Sequence, residues 1–102
     1  MKKPEITPGP WRYENGRICY GETVQTERGT AIKVIAQPHG GVLRTYKGNC
    51  QAIAALPDLL EALEDTYSAL STMWQTFMPK GTPNDTIEAA KAALTKAGYT
   101  FD

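Results

Sequence analysis

Residues 49–63 of this 102-residue chain read NCQAIAALPDLLEAL, and they begin an apolar pattern that continues to residue 77. The apolar side chains recur at steps of three and four residues, which places them along one stripe of an α-helix. The pattern therefore predicts a long helix over residues 49–78. The stripe comprises Ile53, Leu56, Leu60, Leu63, Tyr67, Leu70, Trp74 and Phe77.

A second apolar seam lies beside this stripe on the same predicted helix. A helix that is apolar on two adjacent stripes has to bury both, and a chain this short has little material to cover them. Pairing of identical copies about a two-fold axis is the commonest solution, so the sequence predicts a homo-oligomer, a dimer or higher. The seam comprises Ala52, Ala55, Leu59, Ala62, Thr66, Ala69 and Met73.

Pro57 falls inside the helical pattern and is expected to interrupt it. Proline has no backbone N–H and its ring clashes with the preceding turn, so it kinks or divides a helix. Asp58 and Glu61 follow it and favour the N-terminus of the second part. Before the pattern stands Gly48-Asn49, where Asn49 is the predicted N-cap.

The first half of the chain has the two-residue period of β-strands. Residues 1–10 are rich in proline and predict an extended arm. Asn15-Gly16 is a strong hairpin signal, and a second hairpin is expected around Glu27-Arg28-Gly29. Residues 11–46 therefore predict a three- to four-stranded antiparallel meander, in which Val42–Lys47 fits either a short strand or the lead-in to the helix.

A second helix is predicted over residues 84–97, starting at Asn84 or Asp85 and capped by Gly98. A small sheet followed by an antiparallel helical hairpin, interrupted in its first helix at Pro57, is an α+β fold. The length predicts a single domain, residues 1–102.

Composition narrows the possible functions. Eleven basic and eleven acidic side chains cancel, whereas duplex-binding domains usually carry a basic excess, so no duplex nucleic acid is expected as a partner. No apolar run reaches the roughly 20 residues that span a bilayer, so no membrane is expected. Cys19 and Cys50 have neither disulfide nor metal-site spacing and read as reduced, apolar residues of a cytoplasmic protein.

Catalytic motifs are weak in this sequence. The only histidine, His39, stands in the turn segment Pro38-His39-Gly40-Gly41, which suits a loop better than a general base. Glu61, Glu64 and Asp65 share a helical face and fit either a cation or acid–base site or a solvated surface. We expect no enzyme activity, no metal and no cofactor.

Aromatic and basic residues around the sheet and the first helix start suit a nucleotide instead. Aromatic rings stack on bases, arginine binds phosphate in a fork, and a helix start favours anions. The alternative is that the aromatic residues are sheet core and the arginines are surface residues. The predicted ligand-binding residues are Trp11, Arg12, Arg44, Tyr46 and Asn49.

Three segments resemble a group of short phage and prophage accessory proteins. Thr7-Pro8-Gly9-Pro10-Trp11 resembles their TPGPW opening, and residues 55–63, ALPDLLEAL, resemble their APDLLEAL helix. Residues 87–94, IEAAKAAL, are similar to their closing alanine-rich helix. The resemblance implies a phage-encoded accessory protein in the cytoplasm of an infected bacterial host.

The predicted architecture is also similar to that of the Thoeris anti-defence sponges, phage proteins that bind cyclic nucleotide signals of bacterial immunity. This similarity implies a protein that sequesters such a signal without cleaving it. The competing hypothesis is a protein-binding accessory module that inhibits or redirects a host protein through the exposed helix stripe. Fold alone does not decide between them.

Overall fold

The computed structural model describes residues 1–39 and 44–101, apart from the side chains of Val24 and Thr30. A three-stranded antiparallel sheet is followed by three helices, which confirms the predicted α+β class. The elements are β1 (Trp11–Glu14), β2 (Arg17–Thr26), β3 (Gly29–Ala36), α1 (Tyr46–Ala54), α2 (Leu56–Phe77) and α3 (Asp85–Lys96).

The chain divides into two compact units. The sheet unit is Thr7–Leu59, and the helical unit combines Met1–Ile6 with Leu60–Asp102. The predicted ten-residue arm is therefore shared between the two units. That the whole chain acts as one domain stays a prediction.

The sheet is built by two hairpins in the order β1-β2-β3, with β2 in the centre. Asn15 and Gly16 form the first turn with φ angles of 50° and 76°, as the Asn-Gly pair predicts. The second turn joins Thr26 to Gly29, which are paired across the hairpin. The predicted meander thus has three strands within the described residues.

The pairing of β2 with β3 is irregular near the middle of β2. Tyr20 pairs with Lys33 and Val24 pairs with Ala31, so β2 carries two more residues than β3 over this interval. Gly21 begins the extra segment with a φ of 65°, a left-handed conformation that glycine adopts without steric cost. The bulge directly follows Tyr20, which pairs with Trp11, the first residue of β1.

The first helix begins earlier than the sequence predicts. The prediction that Asn49 caps it is wrong, because α1 starts at Tyr46 and its N-cap is Thr45. Tyr46 forms hydrogen bonds to the sheet through its hydroxyl, which explains why helix extends through Gly48 despite the low helix propensity of glycine. Of the ambiguous segment, Val42 and Leu43 lie outside the described residues, and Tyr46 and Lys47 are helical.

Pro57 divides the predicted long helix, as expected. Ala55 separates α1 from α2, and Pro57 is the second residue of α2, where a missing N–H is tolerated. The carbonyl of Ala55 accepts the N–H of Leu59 at 2.9 Å. The carbonyl of Ile53, which Pro57 cannot serve, accepts a backbone N–H of the cap that ends α1. The interruption therefore leaves no orphaned group at this position.

The core of the sheet unit lies where α1 contacts β1 and β2. Ile18 and Cys50 are fully buried, and Cys19 is 1% exposed. Both cysteines are unpaired and buried in this core, where they pack as apolar residues.

In the helical unit, α3 has defined signals at both ends. The side chain of Asn84 accepts the N–H of Ile87 at 3.0 Å, so Asn84 is the N-cap, in agreement with the predicted start at Asn84 or Asp85. At the other end Gly98 has a φ of 101°, and the N–H of Tyr99 reaches the carbonyl of Leu94. This is the Schellman arrangement, in which the residues that flank the glycine turn pack together, and Leu94 and Tyr99 are both buried.

Glu64 on α2 connects both ends of the chain within the helical unit. Its carboxylate accepts the Tyr99 hydroxyl at 3.1 Å and lies 3.6 Å from the ammonium of Lys3. Lys2 and Thr100 form an antiparallel bridge beside these contacts. The N-terminal residues are thus tied to the helices by backbone and side-chain contacts.

Gly9 lies against the ring of Pro57 in the sheet unit, so the two segments that contain TPGPW and PDLLEAL are in contact. A Cβ on Gly9 would stand 2.7 Å from Cβ of Pro57. Real Cβ atoms do not approach that closely, and a proline ring cannot rotate away. Only glycine fits this position without displacing the arm from α2.

We predict that Gly9→Ala lowers the free energy of unfolding by about 1–3 kcal/mol, because it overpacks the contact with Pro57. Gly48→Ala is the matched control, since nothing lies within 4 Å of a Cβ there. In a helix that change should stabilise by up to about 1 kcal/mol. Thermal denaturation of both variants measures the difference, and equal effects at the two positions would contradict the predicted packing.

Candidate functional site

A cleft of about 550 Å³ opens beside the first residue of β1 in the sheet unit. The register of the first hairpin pairs Trp11 with Tyr20, which places two aromatic residues side by side on neighbouring strands. Most of its lining is apolar, and a few polar groups lie at its edge. The lining residues are Pro8, Gly9, Pro10, Trp11, Arg12, Tyr20, Gly21 and Glu22.

Two of the predicted site residues are held in place in this cleft. The indole N–H of Trp11 donates to the carbonyl of Thr7 at 3.0 Å, so the arm closes on the ring. Arg12 donates from Nε to Glu14 at 2.9 Å and from Nη1 to the carbonyl of Gly21 at 2.6 Å. Both side chains are therefore anchored before any ligand binds.

A second cation, Lys33, lies beside Gly21 and Tyr20. The side chain of Lys33 passes beside Gly21, whose carbonyl binds the Arg12 guanidinium. The ammonium of Lys33 stands 5.9 Å from the centre of the Tyr20 ring. Arg12 thus lines the cleft and Lys33 lies beside Tyr20, with Glu14 and Glu22 as the nearby acids.

Tyr46 has a different position, at the other end of β1. Its hydroxyl lies 3.1 Å from the carbonyls of both Gly16 and Pro38, and so links α1 to the first turn and to the segment after β3. Burial raises the pKa of this hydroxyl, and its hydrogen bond with Cys50 raises the pKa further. These contacts make Tyr46 a structural link between helix and sheet.

Arg44 and Asn49 are exposed residues beside and within α1. Neither lines the cleft at Trp11, and the described part of the chain offers neither side chain a hydrogen bond or an ion pair. Tyr46 contacts Gly16, which follows the Glu14 end of β1. The cleft lies at the Trp11 end, about 10 Å away along the strand, so Tyr46 is distant from it. The structure brings Trp11 and Arg12 together and leaves Arg44, Tyr46 and Asn49 outside their cleft.

Tyr20 and Lys33 were not among the ligand-binding residues predicted from the sequence. Tyr20 could have been found, because a two-residue Asn-Gly turn fixes the pairing of residues 14 with 17 and 11 with 20. Lys33 could not, since the bulge after Tyr20 shifts the register of the second hairpin.

A family model described as Salmonella phage P22 protein Y8K6 matches residues 1–100 of the chain. The chain belongs to this family. The match supports the predicted phage accessory protein. No curated protein and no solved structure matches the chain.

Within residues 1–39 and 44–101, no group of three or more His, Cys, Asp or Glu side chains is arranged to hold a metal ion. In the same part of the chain, no helix combines the length and apolar character needed to cross a bilayer.

We predict that Tyr46→Phe lowers the melting temperature of the free protein, because the helix loses its hydroxyl contacts to Gly16 and Pro38. Asn49→Ala is the control on the same helix and should change stability by no more than about 0.7 kcal/mol, in the stabilising direction. Equal melting temperatures for Tyr46→Phe and the parent would show that this link is not structural.

The same variant tests the raised pKa of Tyr46. A raised pKa in the folded state means that the hydroxyl stabilises the fold below its ordinary pKa, about 10, and loses that effect as the pH rises further. The difference in free energy of unfolding between the parent and Tyr46→Phe should stay constant up to about pH 10 and become smaller above it.

Proposed function

We propose that this phage accessory protein is a binding protein that sequesters a nucleotide-type immune signal of its bacterial host without cleaving it. The supporting observation is the cleft lined by the paired Trp11 and Tyr20 and by Arg12, with the ammonium of Lys33 near the Tyr20 ring. Compared with the site predicted from sequence, this proposal keeps Trp11 and Arg12 and adds Tyr20 and Lys33.

The cleft offers the groups that a nucleotide requires. Tryptophan and tyrosine rings stack on bases of any sequence, and each stacking contact contributes about 1–3 kcal/mol. A guanidinium has five N–H donors, and two of those on Arg12 are engaged with Glu14 and Gly21. The other three can bind phosphate oxygens in a fork.

Pre-organisation favours tight binding at this position. Because Arg12 is anchored at two atoms and Trp11 at its indole N–H, both lose little conformational freedom when a ligand binds. A volume of about 550 Å³ lies within the usual range of small-molecule sites. Lys33 is long and exposed, so it can turn toward a second phosphate.

Binding without catalysis is part of the proposal. The groups beside the cleft are aromatic rings, two cations and carboxylates, one of which is paired with Arg12. The only imidazole of the chain, His39, is exposed in the segment after β3. A protein of this kind acts in the host cytoplasm by binding the signal rather than by converting it, and so lowers the free concentration of the signal.

We predict that a cyclic dinucleotide, a cyclic trinucleotide or a cyclic ADP-ribose isomer raises the melting temperature of the parent protein. At a ligand concentration of 100 times Kd the stabilisation is about 2.7 kcal/mol. Arg12→Ala should weaken binding about tenfold to a hundredfold, because it removes a charge-assisted contact. Calorimetric titration measures the affinities, and chromatography of the released ligand should recover it intact.

Arg28→Ala is the matched control, since Arg28 is an exposed arginine in the turn between β2 and β3. It should bind like the parent. The proposal fails if none of the three ligand classes stabilises the parent, or if Arg12→Ala and Arg28→Ala bind equally well. Hydrolysed ligand after incubation would instead indicate an enzyme.

Self-association through α2 is the second part of the proposal. Not one residue of this 22-residue helix is buried, and Met73 and Phe77 are 54% and 78% exposed. The second apolar seam remains open to solvent at Ala62, Thr66, Ala69 and Met73, whereas the first stripe is half-buried at Leu63, Tyr67, Leu70 and Trp74. Steps of three and four residues along the open seam suit packing against the same seam of a second copy.

The protein-binding alternative would use this same seam for a host protein. We predict that the parent is at least a dimer in light scattering and that Met73→Glu dissociates it, because a carboxylate would be buried in an apolar interface. Ser68→Glu, which adds the same charge at an exposed position off the seam, should leave the oligomer intact. A monomeric parent would contradict self-association and favour a host protein on the seam.

A further inference from the structure

The helical unit contains a cleft of its own, of about 680 Å³, between the last turns of α2 and the first turns of α3. Its walls combine aromatic, polar and charged side chains, and none of its lining residues belongs to the cleft at Trp11. The residues that matter for its chemistry are Tyr67, Ser71, Trp74, Lys80, Glu88 and Lys91.

Ser71 presents an unsatisfied polar group in this cleft. Its hydroxyl oxygen is buried and has no hydrogen-bond partner among the described residues. Other helical hydroxyls in the chain donate to the carbonyl four residues earlier, as Thr76 does to Thr72. A buried hydroxyl without a partner is energetically costly. The Ser71 side chain lines the cleft, so rotation about its Cα–Cβ bond can turn the hydroxyl toward a ligand atom there.

Aromatic residues form the wall beside Ser71. The indole N–H of Trp74 donates to the carbonyl of Thr82 at 2.9 Å, which holds the ring against the turn between α2 and α3. Tyr67 packs edge-to-face on Phe101, with ring centres 5.4 Å apart. Both rings are therefore fixed, and they favour a flat apolar body in the cleft.

The charged residues of the lining favour an anion. Lys80 and Lys91 contribute two positive charges and Glu88 one negative charge, which leaves one net positive charge. The ammonium of Lys91 lies 5.4 Å from the centre of the Phe101 ring and forms no ion pair with any described carboxylate. It is free to bind an anionic group of a ligand.

We infer that this cleft is a second ligand site, for a small planar aromatic molecule that carries one anionic group. The ring lies against Trp74, a hydrogen-bonding atom reaches the hydroxyl of Ser71, and the anion lies near Lys91. The anionic group is a carboxylate or a phosphate, and the site is independent of the nucleotide cleft at Trp11.

The two tryptophans of the chain allow a direct test, because each cleft contains one of them. In a ¹⁵N-labelled sample the indole N–H signals are assigned with Trp11→Phe, which removes one of them. Indole-3-acetate and 4-hydroxybenzoate probe the carboxylate class, and AMP and UMP probe the phosphate class. We expect one class to shift the Trp74 signal saturably, and the two carboxylate probes to leave the Trp11 signal in place.

Variants identify the contacts. Ser71→Ala should weaken the bound probe about three- to tenfold, because a neutral hydrogen bond is lost. Its melting temperature without probe should equal or exceed that of the parent, because the unpaired hydroxyl is removed. Lys91→Gln should weaken binding about tenfold. Ser68→Ala on α2 and Lys96→Gln on α3 are controls outside the cleft and should bind like the parent.

Three results would overturn the inference. The first is no shift of the Trp74 signal with any of the four probes at millimolar concentration. The second is equal binding by Ser71→Ala and Ser68→Ala. The third is a lower melting temperature of Ser71→Ala without probe, since it would mean that the hydroxyl already has a partner. None of these results bears on nucleotide binding at Trp11, which is followed by the other indole signal.

Discussion

Pro57 imposes the constraint on which the rest of this structure depends. Without it the apolar stripe would continue as one helix from α1 into α2, since its spacing has no other interruption. The missing N–H and the ring of proline instead end α1 at Ala54 and start α2 two residues later. The break lies between α1, which contacts the sheet, and α2, most of which belongs to the helical unit.

The same proline connects the break to the N-terminal arm. Gly9 packs on its ring closely enough to exclude a Cβ, and the arm then turns into Trp11 and β1. The cleft lined by Pro8, Gly9 and Pro10 on one side therefore depends on a contact with the helix break. A packing constraint at Pro57 thus shapes the wall of the candidate nucleotide site.

In the helical unit, one local and one long-range contact of Tyr99 hold the C-terminal residues against the helices. The glycine turn at Gly98 brings Tyr99 back to Leu94, and the Tyr99 hydroxyl then reaches Glu64 on α2. Burial raises the pKa of Tyr99, and its hydrogen bond to Glu64 raises the pKa further, so the neutral hydroxyl is the form that the fold favours. The open seam and the cleft at Ser71 lie elsewhere on the same helix.

The sequence by itself determined the elements whose signals are local. These are the Asn15-Gly16 turn, the break at Pro57, the start of the last helix at Asn84 or Asp85 and the glycine turn at Gly98, and each follows from the preferences of one or two residues. The hairpin register that pairs Trp11 with Tyr20 was also within reach, because a two-residue turn leaves no freedom in the pairing. The α+β class followed from the change of period between the two halves.

Only the tertiary structure decided where distant residues meet. It started α1 at Tyr46 rather than at Asn49, because contacts with Gly16 and Pro38 outweigh the local preference for a cap. It separated Arg44 and Asn49 from Trp11, and it placed Lys33 beside Tyr20 through a bulge that no spacing rule predicts. The physical reason is that contacts between residues distant in the sequence depend on register, packing and burial together. Sequence patterns indicate only the local preferences of consecutive residues.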